Sequence, residues 1–275
     1  MTVQLFCGDC LERMKEMPDK SIDAIITDPP YGTTACKWDS VIPFAPMWEQ
    51  LKRIIKPNGA IVLFGSQPFT SALIMSNVKM FKYCWVWEKD NATNFLSSKY
   101  QPMKKHEDII VFSQMAITYS TQGNMKYYPQ MESGKAYTQK SGKQKTEKHN
   151  AIARSKIEQI ITKNNGTRFP CTIQKFSRDK SKIHPTQKPV ALMEYLIKTY
   201  TNEGETVLDF TAGSGTTGIA AINTNRNAIL IEREPEYCEI IKRRIDEAER
   251  RKNNEFFVKK PTEPTLFDFI QESKQ

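Results

Sequence analysis

"TVLDFTAGSGTTG", residues 206–218, carries an apolar strand pattern straight into three glycines, Gly213, Gly215 and Gly218, in G-x-G-x-x-G spacing. GIAAINT follows as the start of a helix, and AILIE (228–232) reads as the next strand, ending on Glu232. A strand, a glycine turn, a helix and a second strand ending on an acid form a ligand-binding βαβ unit. The glycines report only that something approaches the backbone closely. Glu232 is placed to accept hydrogen bonds from both hydroxyls of a ribose. Two ligands fit that pattern, a nicotinamide dinucleotide and S-adenosylmethionine. Asp209, just ahead of the turn, favours the second, because a carboxylate repels a pyrophosphate and attracts a sulfonium and an α-ammonium.

Working outward, the same alternation recurs through the N-terminal part of the chain. IDAIIT (22–27), AIVLF (60–64), YCWVWE (83–88) and DIIVFS (108–113) read as buried strands. FAPMWEQLKRIIK (44–56) is apolar at helical spacing and is expected to stop at Pro57-Asn58-Gly59; SALIMSNV (71–78) also reads as helix. PVALMEYLIKTY opens with a proline at a first helical position and sets Leu192, Tyr195, Leu196 and Tyr200 on one side. PEYCEIIKRRIDEAERRK (235–252) is an amphipathic helix. The alternation predicts an α/β fold with a mostly parallel sheet covered by helices on both faces.

Between residues 114 and 183 the pattern breaks into a polar, basic stretch that reads as an insertion, with a short helix expected over 153–163. The chain carries a net charge of +9, yet residues 135–188 alone hold 14 Lys/Arg against 3 Asp/Glu. The excess is local and points to a surface that faces a polyanion, with a solvated lysine-rich loop as the alternative. The expected organisation is 1–113 as one half of a single domain, 114–183 as the insertion, 184–252 as the second half and 253–275 as a tail.

The six cysteines include one C-x-x-C, Cys7 and Cys10, with no second pair or nearby histidine to complete a zinc site. Reduced thiols and no metal are expected. No apolar run approaches the roughly 18 residues of a membrane span, and the N-terminus lacks the pattern of a signal peptide. A cytoplasmic address is the expectation.

The stretch that ordinary turn chemistry does not explain is IITDPPYG (25–32), a strand that ends in Asp28, Pro29, Pro30 and Tyr31. A rigid strand-end turn is the plain reading. The chemical reading starts from an exocyclic amino group on a nucleobase, a poor nucleophile because its lone pair is delocalised into the ring. Two acceptors on its N–H groups draw it toward tetrahedral geometry. The Asp28 carboxylate and the Pro29 carbonyl supply them, the prolines hold the turn without a competing N–H, and Tyr31 offers a face for a base to stack on.

With those residues in place, the chain resembles the amino-group DNA methyltransferases, and within them the β-class of adenine-N6 enzymes. The matching stretches are FCGDCLERM (6–14), IITDPPYG, WEKDNATNFL (87–96), PMKKHEDIIVF (102–112), IHPTQKPVALMEYLI (183–197), VLDFTAGSGTT (207–217) and AILIERE (228–234). Their order, catalytic motif first and cofactor motif last, marks the β-class. The resemblance covers residues 5–113 and 165–250. It implies a Rossmann-like seven-stranded sheet with S-adenosylmethionine at the strand ends, and a small target-recognition insertion that meets double-stranded DNA. Asp28, Pro29, Pro30 and Tyr31 would then hold the target amine and base. Asp9 would meet the cofactor's adenine and Glu232 its ribose. Phe210, Ala212, Gly213 and Gly215 would wall the pocket, and His184, Thr186, Gln187 and Lys188 would reach the methionine end. Asp28, Asp209 and Thr216 complete the expected cofactor set.

Cytosine-N4 enzymes of the same family usually carry serine where Asp28 stands, which favours adenine. RNA and protein amide methyltransferases more often carry Asn-Pro-Pro-Tyr after the glycine loop. A DNA-binding protein that has lost catalysis would be expected to have lost Asp28 or Tyr31. The resemblance further implies a bacterial or phage origin and leaves room for a homodimer and a cognate restriction enzyme. Leu266-Phe267 in the tail faintly resembles peptides that dock on sliding clamps, without their glutamine; a packing tail is the plainer reading.

Overall fold

A computed structural model describes residues 1–33, 39–118, 123–140, 161–179 and 187–259, the last five by backbone only. His184, Thr186 and Leu266-Phe267 therefore lie outside the described residues.

The chain runs β1 (Val3–Cys7), α1 (Cys10–Lys15), β2 (Ile22–Thr27), α2 (Phe44–Ile54), β3 (Ile55–Gly65), α3 (Phe69–Ser76), β4 (Phe81–Thr93) and β5 (Lys104–Phe112). Four short strands follow, β6 (Glu132–Ser133), β7 (Tyr137–Lys140), β8 (Ile161–Asn164) and β9 (Thr167–Arg168). The order is completed by β10 (Ile173–Lys175), α4 (Val190–Tyr200), β11 (Thr206–Asp209), α5 (Thr216–Asn223), β12 (Asn227–Glu232) and α6 (Pro235–Lys259). One sheet has the order β1-β12-β11-β2-β3-β5-β4-β10, with β5 antiparallel to both its neighbours and every other pairing parallel. It has eight strands where seven are expected. The eighth, β10, is short and lies along β4, with Ile173 opposite Val86.

Burial on both faces explains why the central strands are apolar almost throughout. In β2, Ile25 packs with α1, α2 and α3 residues such as Met14, Leu51 and Leu73. Its neighbours Ala24 and Ile26 pack with Leu192, Leu196 and Ala221 from α4 and α5. Alternate side chains thus serve opposite layers, as the two-residue period of a strand requires.

Three local expectations need correction. The helix over 44–56 stops at Ile54, and Ile55 already pairs with Ile22 in extended conformation. Pro57 disfavours helix at the residue before it, so Pro57-Asn58-Gly59 becomes an irregular stretch of β3 rather than a turn. Gly59 is needed there, since a Cβ would sit 2.6 Å from the Asp23 carbonyl oxygen. The helix over 153–163 falls largely outside the described residues, and its last three positions belong to strand β8. Finally, Cys7 and Cys238 are joined as a disulfide, so those two thiols are not reduced. The pairing follows from topology: β1 lies along β12, whose exit leads into α6.

Residues Pro129–Cys171 form a second compact unit with two two-stranded antiparallel sheets, β6 with β9 and β7 with β8. Arg168 lies over the Tyr137 ring there, 4.7 Å from its centroid. Among the described residues no helix is long and apolar enough to cross a membrane.

Candidate active site

The parallel strands β1, β12, β11 and β2 end on one edge of the sheet, where Asp9, Phe210 and Asp28 follow β1, β11 and β2 and Glu232 closes β12. A cavity runs along that edge from Asp9 and Glu232 past Gly213 to Asp28 and Tyr31. The strand order explains why two motifs about 180 residues apart meet: Val207 pairs with Ala24 and Leu208 with Ile25.

Hydrogen bonds lace the two motifs together. The Thr27 hydroxyl donates to Asp209 Oδ1 at 2.6 Å and lies 2.6 Å from the Thr211 hydroxyl. Thr211 in turn donates to the Asp28 carbonyl at 3.0 Å. Asp209 Oδ1 also accepts from Thr211 N at 3.2 Å, and Oδ2 accepts from the Thr217 hydroxyl. The Asp209 carboxylate is thus occupied by the protein's own donors and fastens the glycine loop to β2. Burial pushes it up to about 6, against the pull of its hydrogen bonds from Thr217 and Thr27.

Because the folded chain holds that proton more tightly than the unfolded chain, this group costs stability as pH rises through roughly 4 to 6. The cost approaches about 3 kcal/mol once the carboxyl is ionised in both states. Asp209→Asn has no such titration. Urea unfolding is expected to show the variant gaining about 3 kcal/mol relative to the parent between pH 4 and pH 7. A parent–variant difference that does not change over that interval would show that burial does not hold the proton there.

Glu232 is nearly buried and is held by backbone donors, Gly213 N to Oε2 at 2.7 Å and Glu234 N to Oε1 at 2.9 Å. Gly213 and Gly215 adopt positive φ of 53° and 76°, which turns the loop sharply enough to present its amides. A Cβ on Gly215 would press on Ile241 at 3.0 Å, so α6 packs directly under the loop. Asp9 caps α1 by accepting from Leu11 N at 2.8 Å and Glu12 N at 3.3 Å. Phe210 is buried and packs into the α1–α3 side of the core, while Ala212 and Thr216 are buried at the loop. Gln187 donates to Asp179 at 3.1 Å.

At the other end of the cavity, Asp28 Oδ1 accepts from the Tyr31 hydroxyl at 2.5 Å and Oδ2 accepts from Lys188. The Tyr31 ring stacks on Phe69, centroids 5.0 Å apart and planes 28° apart, and Phe69 is backed in turn by Phe44. Burial raises the Asp28 carboxyl, and the Lys188 ammonium opposes it. Burial also acts against the Lys188 charge, but Asp28 and Glu107 outweigh it and hold the ammonium protonated above its ordinary range.

Four contributors escaped the sequence reading. Glu107, on β5, lies 3.3 Å from Lys188 and pairs with Lys89 on its other oxygen. Phe69 supports Tyr31 from α3, and Thr27 with Thr211 ties the motifs together. The stretch KKHEDIIVF is apolar only after Asp108, and an acid facing inward from β5 was the available signal for Glu107.

Comparison with known proteins agrees with this geometry. A family model described as DNA methylase matches residues 22–243. The Type II methyltransferase M.HpaI of Haemophilus parainfluenzae is 28% identical over 264 residues, 90% of this chain and 75% of that protein. A solved M1.HpyAVI–SAM complex is 28% identical with a TM-score of 0.57, and the match covers 88% of this chain and all of that one. The PvuII DNA methyltransferase, cytosine-N4-specific, shares the fold with a TM-score of 0.61 at 16% identity, over 91% of this chain and 92% of that one.

Proposed function

The chain belongs to the DNA methylase family, and we propose that its substrate within that family is the N6 amino group of adenine in duplex DNA. It is an S-adenosylmethionine-dependent amino-group DNA methyltransferase. When bound, S-adenosylmethionine supplies an electrophilic methyl group on a sulfonium centre. The donor set along the cavity suits it, since Asp9, Glu232 and Asp28 offer carboxylates to hydroxyls and to positive charge. Our assignment gives Asp9 the cofactor's adenine, Glu232 its ribose, and Gly213 with Gly215 its close wall.

The observation that carries adenine is a carboxylate, Asp28, held at the end of β2 by Tyr31 and Lys188. In the proposed reaction one amine N–H donates to Asp28 and the other to the Pro29 carbonyl. Tyr31, backed by Phe69, stacks on the base. A carboxyl with an ordinary pKa of about 3.9 is too weak a base to deprotonate the neutral amine. It need not, because the nitrogen becomes cationic on attack and loses its proton afterwards. Asp28 therefore acts as an anion aimed at developing positive charge. The base must leave the stack to reach it, at a cost of a few kcal/mol. The basic residues of the insertion would grip the phosphates that flank it.

Expression in a methylation-deficient bacterial host, followed by sequencing that reports modified bases, tests this directly. N6-methyladenine at one recurring short motif is expected. N4-methylcytosine at such a motif would overturn the base assignment while keeping the chemistry.

A further inference from the structure

Glu107 has no part in the scheme above, yet it sits in the same cavity wall as Asp28. Its side chain is 14% exposed, and its Oε1 is taken by Lys89. Its Oε2 is buried, makes no hydrogen bond among the described residues, and points at Lys188 from 3.3 Å. Lys188, 7% exposed, lies over the Phe64 ring with Nζ 5.0 Å from its centroid, and its ammonium now serves Asp28. Asp28 has both oxygens engaged, one by Tyr31 and one by Lys188. Each oxygen keeps a second lone pair, but an amine that takes the position now held by the ammonium removes that ion pair from a buried cation, which would be costly unless another carboxylate meets it.

We propose that Glu107 is a positioning residue that receives the Lys188 ammonium when the target amine takes its place on Asp28. Oε2, already 3.3 Å from the ammonium, is then its second seat. Rotation of the lysine's terminal bonds carries Nζ from Asp28 Oδ2 toward Glu107 Oε2, and no covalent bond or proton changes hands. Lys89 anchors the other carboxylate oxygen, so Glu107 does not swing to meet the lysine and compete for Asp28's place. The set of Asp28, Lys188, Glu107 and Lys89 is electrically balanced before and after the move. This inference rests on the reading of Asp28 as the amine's acceptor.

The test uses the full chain, S-adenosylmethionine with a tritiated methyl group, and unmethylated genomic DNA, with Glu107→Gln and Glu107→Asp as variants. An amide offers the ammonium a neutral seat, so Glu107→Gln is expected to lower kcat about 10- to 100-fold with cofactor affinity unchanged within about threefold. The acidic limb of the kcat profile should also move to lower pH, because Glu107 raises the Asp28 carboxyl by charge repulsion. Other titratable groups bear on Asp28 as well, Tyr31 from its own loop, Lys188 from the segment before α4 and Asp209 from β11, while Lys89 and Lys104 bear on Glu107. All of them remain in the variant. Glu107→Asp keeps the charge but withdraws it by one methylene, and should turn over at an intermediate rate with the limb unmoved.

Glu107→Gln at parental kcat, or slowed with an unmoved limb, would overturn the proposal. If Glu107→Gln shows no cooperative melting transition, Glu107→Asp decides: a several-fold slower kcat with an unmoved limb supports the proposal, and a parental rate overturns it. A parent that methylates no DNA would sink the reading of Asp28 itself. A parent that is active beside unaffected variants sinks this inference alone.

Discussion

Asp28→Ala is expected to abolish methyl transfer, with a fall in turnover of about 10³ or more, while S-adenosylmethionine binds within about tenfold of the parent affinity. The size follows from what the carboxylate does. In the proposed reaction it accepts one amine N–H and meets positive charge as that charge develops. An interaction that strengthens as the transition state forms enters kcat directly. Cofactor binding is spared because Glu232 and the glycine loop are held by contacts of their own. Asp28→Asn should fall within about tenfold of the alanine variant, since an amide keeps the shape and loses the charge. Measured single-turnover rates decide it, and an alanine variant within tenfold of the parent would remove Asp28 from the chemistry.

Lys188→Met should be the most damaging change to stability. It leaves the Asp28 carboxylate buried without its cation and Glu107 with Lys89 only. Removing one partner of such a set costs about 3–5 kcal/mol. The sign of its pH dependence is fixed by which groups respond. In the parent the lysine's folded pKa is raised, so its contribution is whole below the unfolded value of about 10.4 and is lost as pH rises through the folded value. In the variant Asp28 lacks the ammonium that opposes its raised pKa, and it regains a comfortable neutral form on acidification. The stability gap between parent and variant should therefore be widest near neutral pH and close toward pH 4. Urea unfolding at several pH values reads it, and a gap independent of pH would mean that methionine fails there by shape alone.

Which parts of this architecture a reader of the sequence meets depends on how local their signals are. The strand entering Asp-Pro-Pro-Tyr and the glycine loop behind Asp209 are each complete within a dozen residues, so both stand out. The helices α4 and α6 announce themselves by period. Val3–Cys7 does not: β1 is an edge strand, partly exposed and without an unbroken apolar run. The change from helix to strand at Ile55 turns on one proline and on the pairing of Ile55 with Ile22, which only the sheet supplies. The site shows the same division. Asp28 is visible from its motif, whereas its cation comes from position 188 and that cation's second neighbour from β5. Such partners are chosen by burial and charge across the folded sheet, and no spacing rule encodes them.

The strand order has a consequence for how the molecule comes into being. β1 and β2 are not neighbours: they are separated by β11 and β12, the last two strands to be made among the described residues. A growing chain on the ribosome thus holds β2 with one flank open until β11 is made, and β1 without its partner β12 until synthesis has passed Glu232. Closing the sheet pairs Val3 with Ala228, a high-contact-order event that comes late and is slow compared with local helix formation. Ala24 and Ile26, on the face that α4 and α5 cover, wait in the meantime uncovered, and the nascent chain is most prone to aggregate during that interval.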